Sequence, residues 1–377
     1  MLQASVVVDR LSYLDWNATA PVRPEAAAGV AHALTIAGNA SSVHHAGRAA
    51  RRLLEGARAS VASLVGARPD EVVFTSGGTE ANALALRAFP DRRILASAIE
   101  HDSVLANAPG AVRVPATRDG LVDLSTLEQL LAADKRPALV SLMFANNETG
   151  AIQPIAEAAQ IAHRYGALIH CDGVQGAGRQ PLDMRRLGCT LMTLSAHKLG
   201  GPMGVGALVV AGGWDIAPLI RGGGQERGRR AGTENVPAIA GFGAAAGAAM
   251  AEAATWATVG MLRVQAEHRL AAIAPDAVIY AAAAPRLSNT ICISMPGVPA
   301  ATQVMALDLA GVMVSAGAAC SSGKVRRSHV LDAMGVPERE AECAIRISLG
   351  WNTSSAEIDH LVEAWGALYA RTRVTAA

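Results

Sequence analysis

The sequence predicts an α/β protein: a large domain with a mostly parallel sheet covered by helices, plus a smaller α+β C-terminal domain. Three observations carry this. Apolar β-type runs alternate with Ala-rich helical stretches through the first two-thirds of the chain. Polar, glycine-marked turns follow several of those runs. The last third places a long helix before widely separated strands. Alternation of this kind favours parallel strands buried on both faces. A chain of 377 residues is long enough to bury a sizeable core in such an arrangement.

In order along the chain, residues 48–64 read as a helix that ends near Gly66. Residues 71–75 read as a strand, and 79–89 as a helix with Thr79 near its start. Further strands are expected at 93–98, 138–144, 167–171, 190–194 and 205–210, with a helix at 155–165 between the second and third of these. The uncharged run 237–251 is mostly Ala and Gly. It is too short for a bilayer and suits a tightly packed buried helix. A long helix around 258–273 then precedes strands at 290–294, 312–315 and 345–349. The expected division is a large domain over 15–255 and a small one formed by 1–14 and 256–377. The boundary falls between about 247 and 260, within the Ala/Gly-rich helical region.

Composition narrows the function. Hydrophobic residues make up 51% of the chain, which argues against disorder, and aromatics only 3%, so the core rests on Ala, Val, Leu and Ile. The net charge of +1, with no dense basic stripe, argues against nucleic acid as a partner. The start, Met1 to Arg10, has neither a basic segment nor a long apolar one, so neither a secretory signal nor a membrane association is expected. Five scattered cysteines (Cys171, Cys189, Cys292, Cys320 and Cys343) form no CxxC pair. They point to reduced thiols in the cytoplasm and give no support to a metal site.

The chemistry converges at strand ends, where ligands sit in open parallel sheets. The expected strand 190–194 delivers Ser195, His197 and Lys198 to a glycine-rich turn. A lysine held there against apolar walls can bind a carbonyl cofactor as a Schiff base. After 71–75 comes Ser76-Gly77-Gly78-Thr79. Glycines leading into a helix start offer backbone N–H groups to a phosphate, although a plain capped turn reads the same way. His101 follows 93–98 and could stack on a flat ring or move protons, or be a polar turn residue. Asn146-Asn147 follows 138–144 and suits a turn or a hydrogen bond to a ring oxygen or carboxylate. Asp172 ends an apolar strand and needs a cationic or donor partner. A protonated pyridine nitrogen would serve, as would a helix cap, and Gln175 could donate to a ring hydroxyl. Taken together, these residues describe a pyridoxal phosphate site.

With those residues in place, the chain resembles the class V aminotransferase group of fold-type I pyridoxal phosphate enzymes. Within that group it resembles the cysteine desulfurases of the NifS/IscS type. The likeness runs from Leu14-Asp15-Trp16-Asn17-Ala18-Thr19-Ala20-Pro21 to Ile345-Arg346-Ile347-Ser348-Leu349-Gly350. It includes Gly38-Asn39-Ala40-Ser41-Ser42-Val43-His44, Asn146-Asn147-Glu148-Thr149-Gly150, Ser195-Ala196-His197-Lys198 and the glycine-rich segment 222–235. The resemblance implies that Lys198 carries pyridoxal 5'-phosphate and that Asp172 pairs with the ring nitrogen. Gln175 meets the phenolic oxygen, and His101 stacks on the ring. Gly78, Thr79, Ser195 and His197 would bind the phosphate. Thr233 would reach the phosphate of a neighbouring subunit, which implies a homodimer. Arg346 would grip the substrate carboxylate, with Asn147 near it and near the cofactor oxygen.

The segment Ser315-Ala316-Gly317-Ala318-Ala319-Cys320-Ser321-Ser322-Gly323-Lys324 sets one thiol among small residues. It resembles the sulfur-accepting loop of the same class. The implied reaction converts L-cysteine to L-alanine: Lys198 removes the α-proton, and the Cys320 thiolate takes the sulfur as a persulfide. A free thiol has a pKa of about 8.5, so a nearby base such as His101 would help. A sulfur-accepting scaffold or carrier protein is the implied partner, serving iron–sulfur clusters or other sulfur compounds. A transient iron–sulfur cluster on Cys320 is compatible with the pattern. Trp16-Asn17 and Met203 depart from the common family pattern, and the tail after Gly350 is short where relatives dock a scaffold. Rival readings are a selenocysteine lyase, a class V aminotransferase that needs no thiol, and a non-catalytic sulfur-relay subunit. The set Lys198, Asp172 and His101 argues against the last.

Overall fold

The computed structural model describes residues 10–319 and 325–376. Its larger sheet has seven strands. Their order is Val72–Thr75, Gly206–Val210, Leu191–Ser195, Leu168–Asp172, Ala138–Met143, Arg93–Ser97 and Val112–Val114. All pairings from Leu191–Ser195 to Val112–Val114 are parallel. Gly206–Val210 runs antiparallel to both its neighbours. The mostly parallel sheet expected from the alternating runs is therefore present. The central strands are buried along their full length. That burial explains why they read as continuous apolar runs without alternation.

Helices Pro24–Leu34 and His45–Leu64 pack against Val236–Ala251, the stretch expected to be a buried helix. Its glycines permit the close approach: a Cβ at Gly243 would lie 2.5 Å from the Cα of Ala57. Among the described residues no single helix is long and apolar enough to cross a membrane. Val236–Ala251 and Thr255–Ile273 reach that length only as a pair bent by 75°.

The second sheet has four antiparallel strands, in the order Ser315–Ala316, Ala344–Ser348, Thr290–Ser294, Val278–Ile279. One face meets a separate core that includes Ile345, Ile347, Leu14 and Trp365. Side chains alternate along a strand, so Ile345 and Ile347 fill that core while Arg346 between them turns to the opposite face. The strand expected at 312–315 is divided. Val312–Met313 pairs in parallel with Ser12–Tyr13, whereas Ser315–Ala316 joins the second sheet. The chain changes partner at Val314, a switch that a short apolar run cannot display. Ala318–Ala319 then pairs with Val325–Arg326, which brackets 320–324.

Candidate active site

One cavity of about 370 Å³ lies at the carboxyl ends of the parallel strands. Gly78, Thr79, His101, Asn147, Asp172, Gln175, Ser195, His197, Lys198 and Arg346 all line it. Residues from both sheets thus meet in one place. Thr233 lies elsewhere, on a smaller cavity of about 220 Å³ with Glu226 and Arg230. Cys320 falls outside the described residues, but Gly317, three positions before it, lines the larger cavity.

Lys198 ends a single 3-10 turn, Ala196–Lys198, directly after the strand Leu191–Ser195. The chain then reverses tightly, with the N–H groups of Leu199 and Gly201 both bonded to the Ala196 carbonyl. Gly200 has φ +88°, and a Cβ there would meet Arg23 Cγ at 2.5 Å, so glycine is required at this position. The Lys198 amine donates to the main-chain oxygens of Asn17 at 2.6 Å and Ala18 at 2.7 Å. Burial, and then the positive charges of Arg346 and Arg179, lower its pKa to about 7, against the opposing pull of Asp15 and Asp172. A buried amine surrounded this way holds its proton weakly, which suits a nucleophile and base near neutral pH.

Asp172 ends the neighbouring strand and is buried. Its Oδ2 accepts from Asn82 Nδ2 at 2.8 Å and its Oδ1 from the Val174 N–H at 3.0 Å. These bonds hold the carboxylate against the cavity. His101 accepts the Ser103 N–H on Nδ1 at 3.0 Å. The proton of its neutral ring therefore sits on Nε2. Its surroundings of protein lower its pKa, mainly by desolvation. His197 is likewise kept neutral, its pKa pushed down to about 4 by burial and then by Lys198 and Arg179. Nearby Glu100 is fully buried and accepts the Met143 N–H at 2.6 Å. Burial, and then the charge of Asp172, push its carboxyl well up.

Gly78 opens the helix Gly78–Arg87, whose first intrahelical N–H donor is Ala81, bonded to Gly77 O. The N–H groups ahead of it lie at a positive helix end beside Ser195, whose Cβ would stand 3.3 Å from a Cβ at Gly78. From the second sheet, Arg346 donates to Asp15 Oδ1 at 2.8 Å and to Asn147 O at 3.2 Å. Its buried Nε has no hydrogen-bond partner.

Sequence reasoning missed Asn17, Asn82, Ser103, Glu148 and His329, which also line the cavity. Asn82 had a signal: it lies three residues after Thr79, on the same helix face. Asn17 stood out only as a departure from the family pattern, without a role in the site, yet its main-chain oxygen receives the lysine amine. Glu148 accepts Ser328 Oγ, and Ser328 caps the helix His329–Ala333, so a helix start joins the site from 180 residues away.

Residues 12–361 match the class-V aminotransferase family. The chain belongs to the class-V aminotransferases. It is 45% identical to a cysteine desulfurase of Cereibacter sphaeroides, over 93% of this chain and 94% of that one. Identity to an IscS-like cysteine desulfurase of Mycobacterium tuberculosis is 38%, over 96% and 97%. A solved NifS-like protein from Rickettsia africae superposes with a TM-score of 0.90 at 38% identity, covering 96% of this chain and 100% of that one. Another, SspA in complex with cysteine, gives 0.76 at 28% identity, over 90% and 98%.

This class-V aminotransferase therefore has the fold-type I architecture and is a pyridoxal phosphate enzyme. The cavity fits that cofactor. It offers a weakly basic amine on Lys198, a fixed carboxylate on Asp172, and donors at Gly78, Thr79 and Ser195 for a phosphate. The unpartnered Nε of Arg346 fits an anionic group beside it. The chain contains three lysines, Lys135, Lys198 and Lys324. Of these, Lys198 lies in the cavity, whereas Lys135 is exposed and Lys324 falls outside the described residues.

Proposed function

We propose that this cysteine desulfurase carries the sulfur of L-cysteine as a persulfide on Cys320. The observation that carries the reading is one cavity where the Lys198 amine, the Asp172 carboxylate and the open Nε of Arg346 meet Gly317. That glycine leads into the segment holding Cys320. The relatives named above support the activity, and cysteine held by SspA supports the substrate class.

When bound, pyridoxal phosphate supplies an electron sink for negative charge at the substrate Cα. The protein does the rest. Lys198, whose pKa is lowered to about 7 so that its neutral form is well populated near neutral pH, takes the Cα proton. Asp172, fixed by Asn82 and Val174, presents a negative charge that a protonated ring nitrogen requires. Gln175 would donate to the phenolic oxygen, and His101 would stack on the ring with its Nε2 proton available. Gly78, Thr79, Ser195 and His197 would hold the phosphate, and Arg346 would orient the substrate carboxylate. Cys320 attacks the substrate sulfur; an S–S bond forms, the Cβ–S bond breaks, and a proton returns to Cβ. The balance is L-cysteine plus thiol giving L-alanine plus persulfide.

The same proposal includes a homodimer in which Thr233 serves the partner's site, a cytoplasmic location, and a sulfur-accepting scaffold or carrier protein. It also includes the division into 15–255 and 1–14 with 256–377. The two largest cores, which lie mostly on either side of the boundary, and the bend between Val236–Ala251 and Thr255–Ile273 support that division.

The test adds L-cysteine and a reductant to purified protein. Sulfide and alanine in equal amounts are expected. A keto acid product would move the assignment to transamination, and faster turnover of selenocysteine to a lyase.

A further inference from the structure

Four arginines are buried among the described residues: Arg23, Arg58, Arg179 and Arg346. Three have a carboxylate. Arg23 pairs with Glu252 at 2.6 Å, Arg58 with Glu226 at 2.7 Å, and Arg346 with Asp15 at 2.8 Å. Arg179 has no carboxylate partner among the described residues. Its guanidinium donates to Trp16 O at 3.2 Å, Asn17 Oδ1 at 3.0 Å, Gln175 O at 3.3 Å and Lys198 O at 3.3 Å, and also to Gln175 Oε1. Every acceptor is neutral. Burying a cation without a counter-charge is costly, and neutral hydrogen bonds offset only part of that cost. The five bonds use the guanidinium's donors but leave its charge without a counter-charge.

The position of the charge gives it a use. Arg179 bonds to the main chain of Lys198 itself and to both the main chain and the amide of Gln175. It also bonds to the Trp16-Asn17 segment, whose Asn17 carbonyl receives the Lys198 amine. We propose that Arg179 is a positioning residue for the cofactor site, which locks the Gln175 amide and sets an uncompensated positive charge behind the Lys198 amine. This rests on the reading that Lys198 holds pyridoxal phosphate.

Two consequences follow. With Gln175 Oε1 held by Arg179, the amide N–H2 is the side turned away from it. One N–H meets Asn17 O at 3.1 Å, and the second remains to donate to an anionic ring oxygen. The charge, in turn, disfavours a proton on Lys198. The other charged and titratable groups around that amine are Arg346, Asp15, Asp172, His101 and His197. Arg346 is the larger direct influence, but Asp15 in contact with it opposes its effect. The two histidines are held neutral by burial, and Asp172 acts in the opposite sense. Arg179 is thus the positive charge at this amine with no adjacent negative one.

The test is a pH titration of the visible absorbance of purified, cofactor-loaded protein, comparing wild type with R179Q and R179K. Both variants keep N–H donors for part of the bonded set, two in glutamine and three in lysine. R179Q removes the charge, and its absorbance midpoint should rise by about one pH unit. R179K keeps the charge and should keep the wild-type midpoint. An R179Q midpoint equal to that of wild type overturns the proposal. Where R179Q yields no folded protein, R179K decides alone: a midpoint raised by a full unit with the charge retained also overturns it. A wild-type protein with no cofactor fixed to Lys198 by borohydride sinks the underlying reading instead, so the two failures are distinct.

Discussion

The two walls of the cavity are built differently. The wall from the seven-stranded sheet offers groups whose hydrogen bonds are largely taken up: Asp172 by Asn82 and Val174, His101 by Ser103, Lys198 by two carbonyls. The wall from the four-stranded sheet offers one arginine with its Nε left open, and Gly317 at the approach to Cys320. On the proposed reading the difference is a division of labour: the parallel sheet would present the groups for a resident cofactor, and the second sheet would present Arg346 to the transient substrate.

This contrast makes predictions that separate the walls. The largest effect belongs to Cys320→Ala. It should retain the full cofactor absorbance but lose persulfide formation from L-cysteine, measured by alkylation and mass spectrometry. Sulfur release at the wild-type rate would remove Cys320 from the account. Next, Arg346→Ala should keep the cofactor bound and lower kcat/KM for cysteine by roughly 10–100-fold, mainly through KM. A charge-assisted hydrogen bond is worth about 1.5–3 kcal/mol, which converts to that range. Loss of cofactor from this variant would erase the contrast between the walls.

Smaller effects test the first wall. In the proposed role Lys198 would act as a base only when neutral, and its pKa is lowered to about 7, mainly by burial. Turnover should therefore rise from pH 6 to pH 8 and level off above that. A profile flat across this range would contradict the role. The smallest change is expected for Asn82→Ala, which removes one of two bonds holding Asp172. A single hydrogen bond of about 1 kcal/mol corresponds to a loss of roughly fivefold in kcat/KM, with a matching weakening of cofactor retention.

Much of the first wall was legible in the sequence because its residues follow continuous apolar runs. The strands expected at 71–75, 167–171 and 190–194 therefore end at, or one residue before, the observed ends Thr75, Asp172 and Ser195. The strand expected at 290–294 is present with those bounds. The two-residue strands Ser12–Tyr13 and Ser315–Ala316 were not legible, because they carry no period and depend on distant partners. The same limit hid Arg179. In sequence it belongs to a glycine-rich turn and looks solvated. It is buried because Trp16 and Asn17, more than 160 residues away, close over it. Asn17 was marked only as a departure from the family pattern; its place in the site was hidden because its main-chain oxygen, which any residue possesses, receives the lysine.

The central claim is that Lys198 is the residue that holds the cofactor, and the small number of lysines makes it directly testable. The purified protein is reduced with borohydride, digested, and its peptides weighed. The account predicts a pyridoxyl adduct on the peptide containing Lys198 and none on those containing Lys135 or Lys324. An adduct on either of the other two, with Lys198 unmodified, would contradict it.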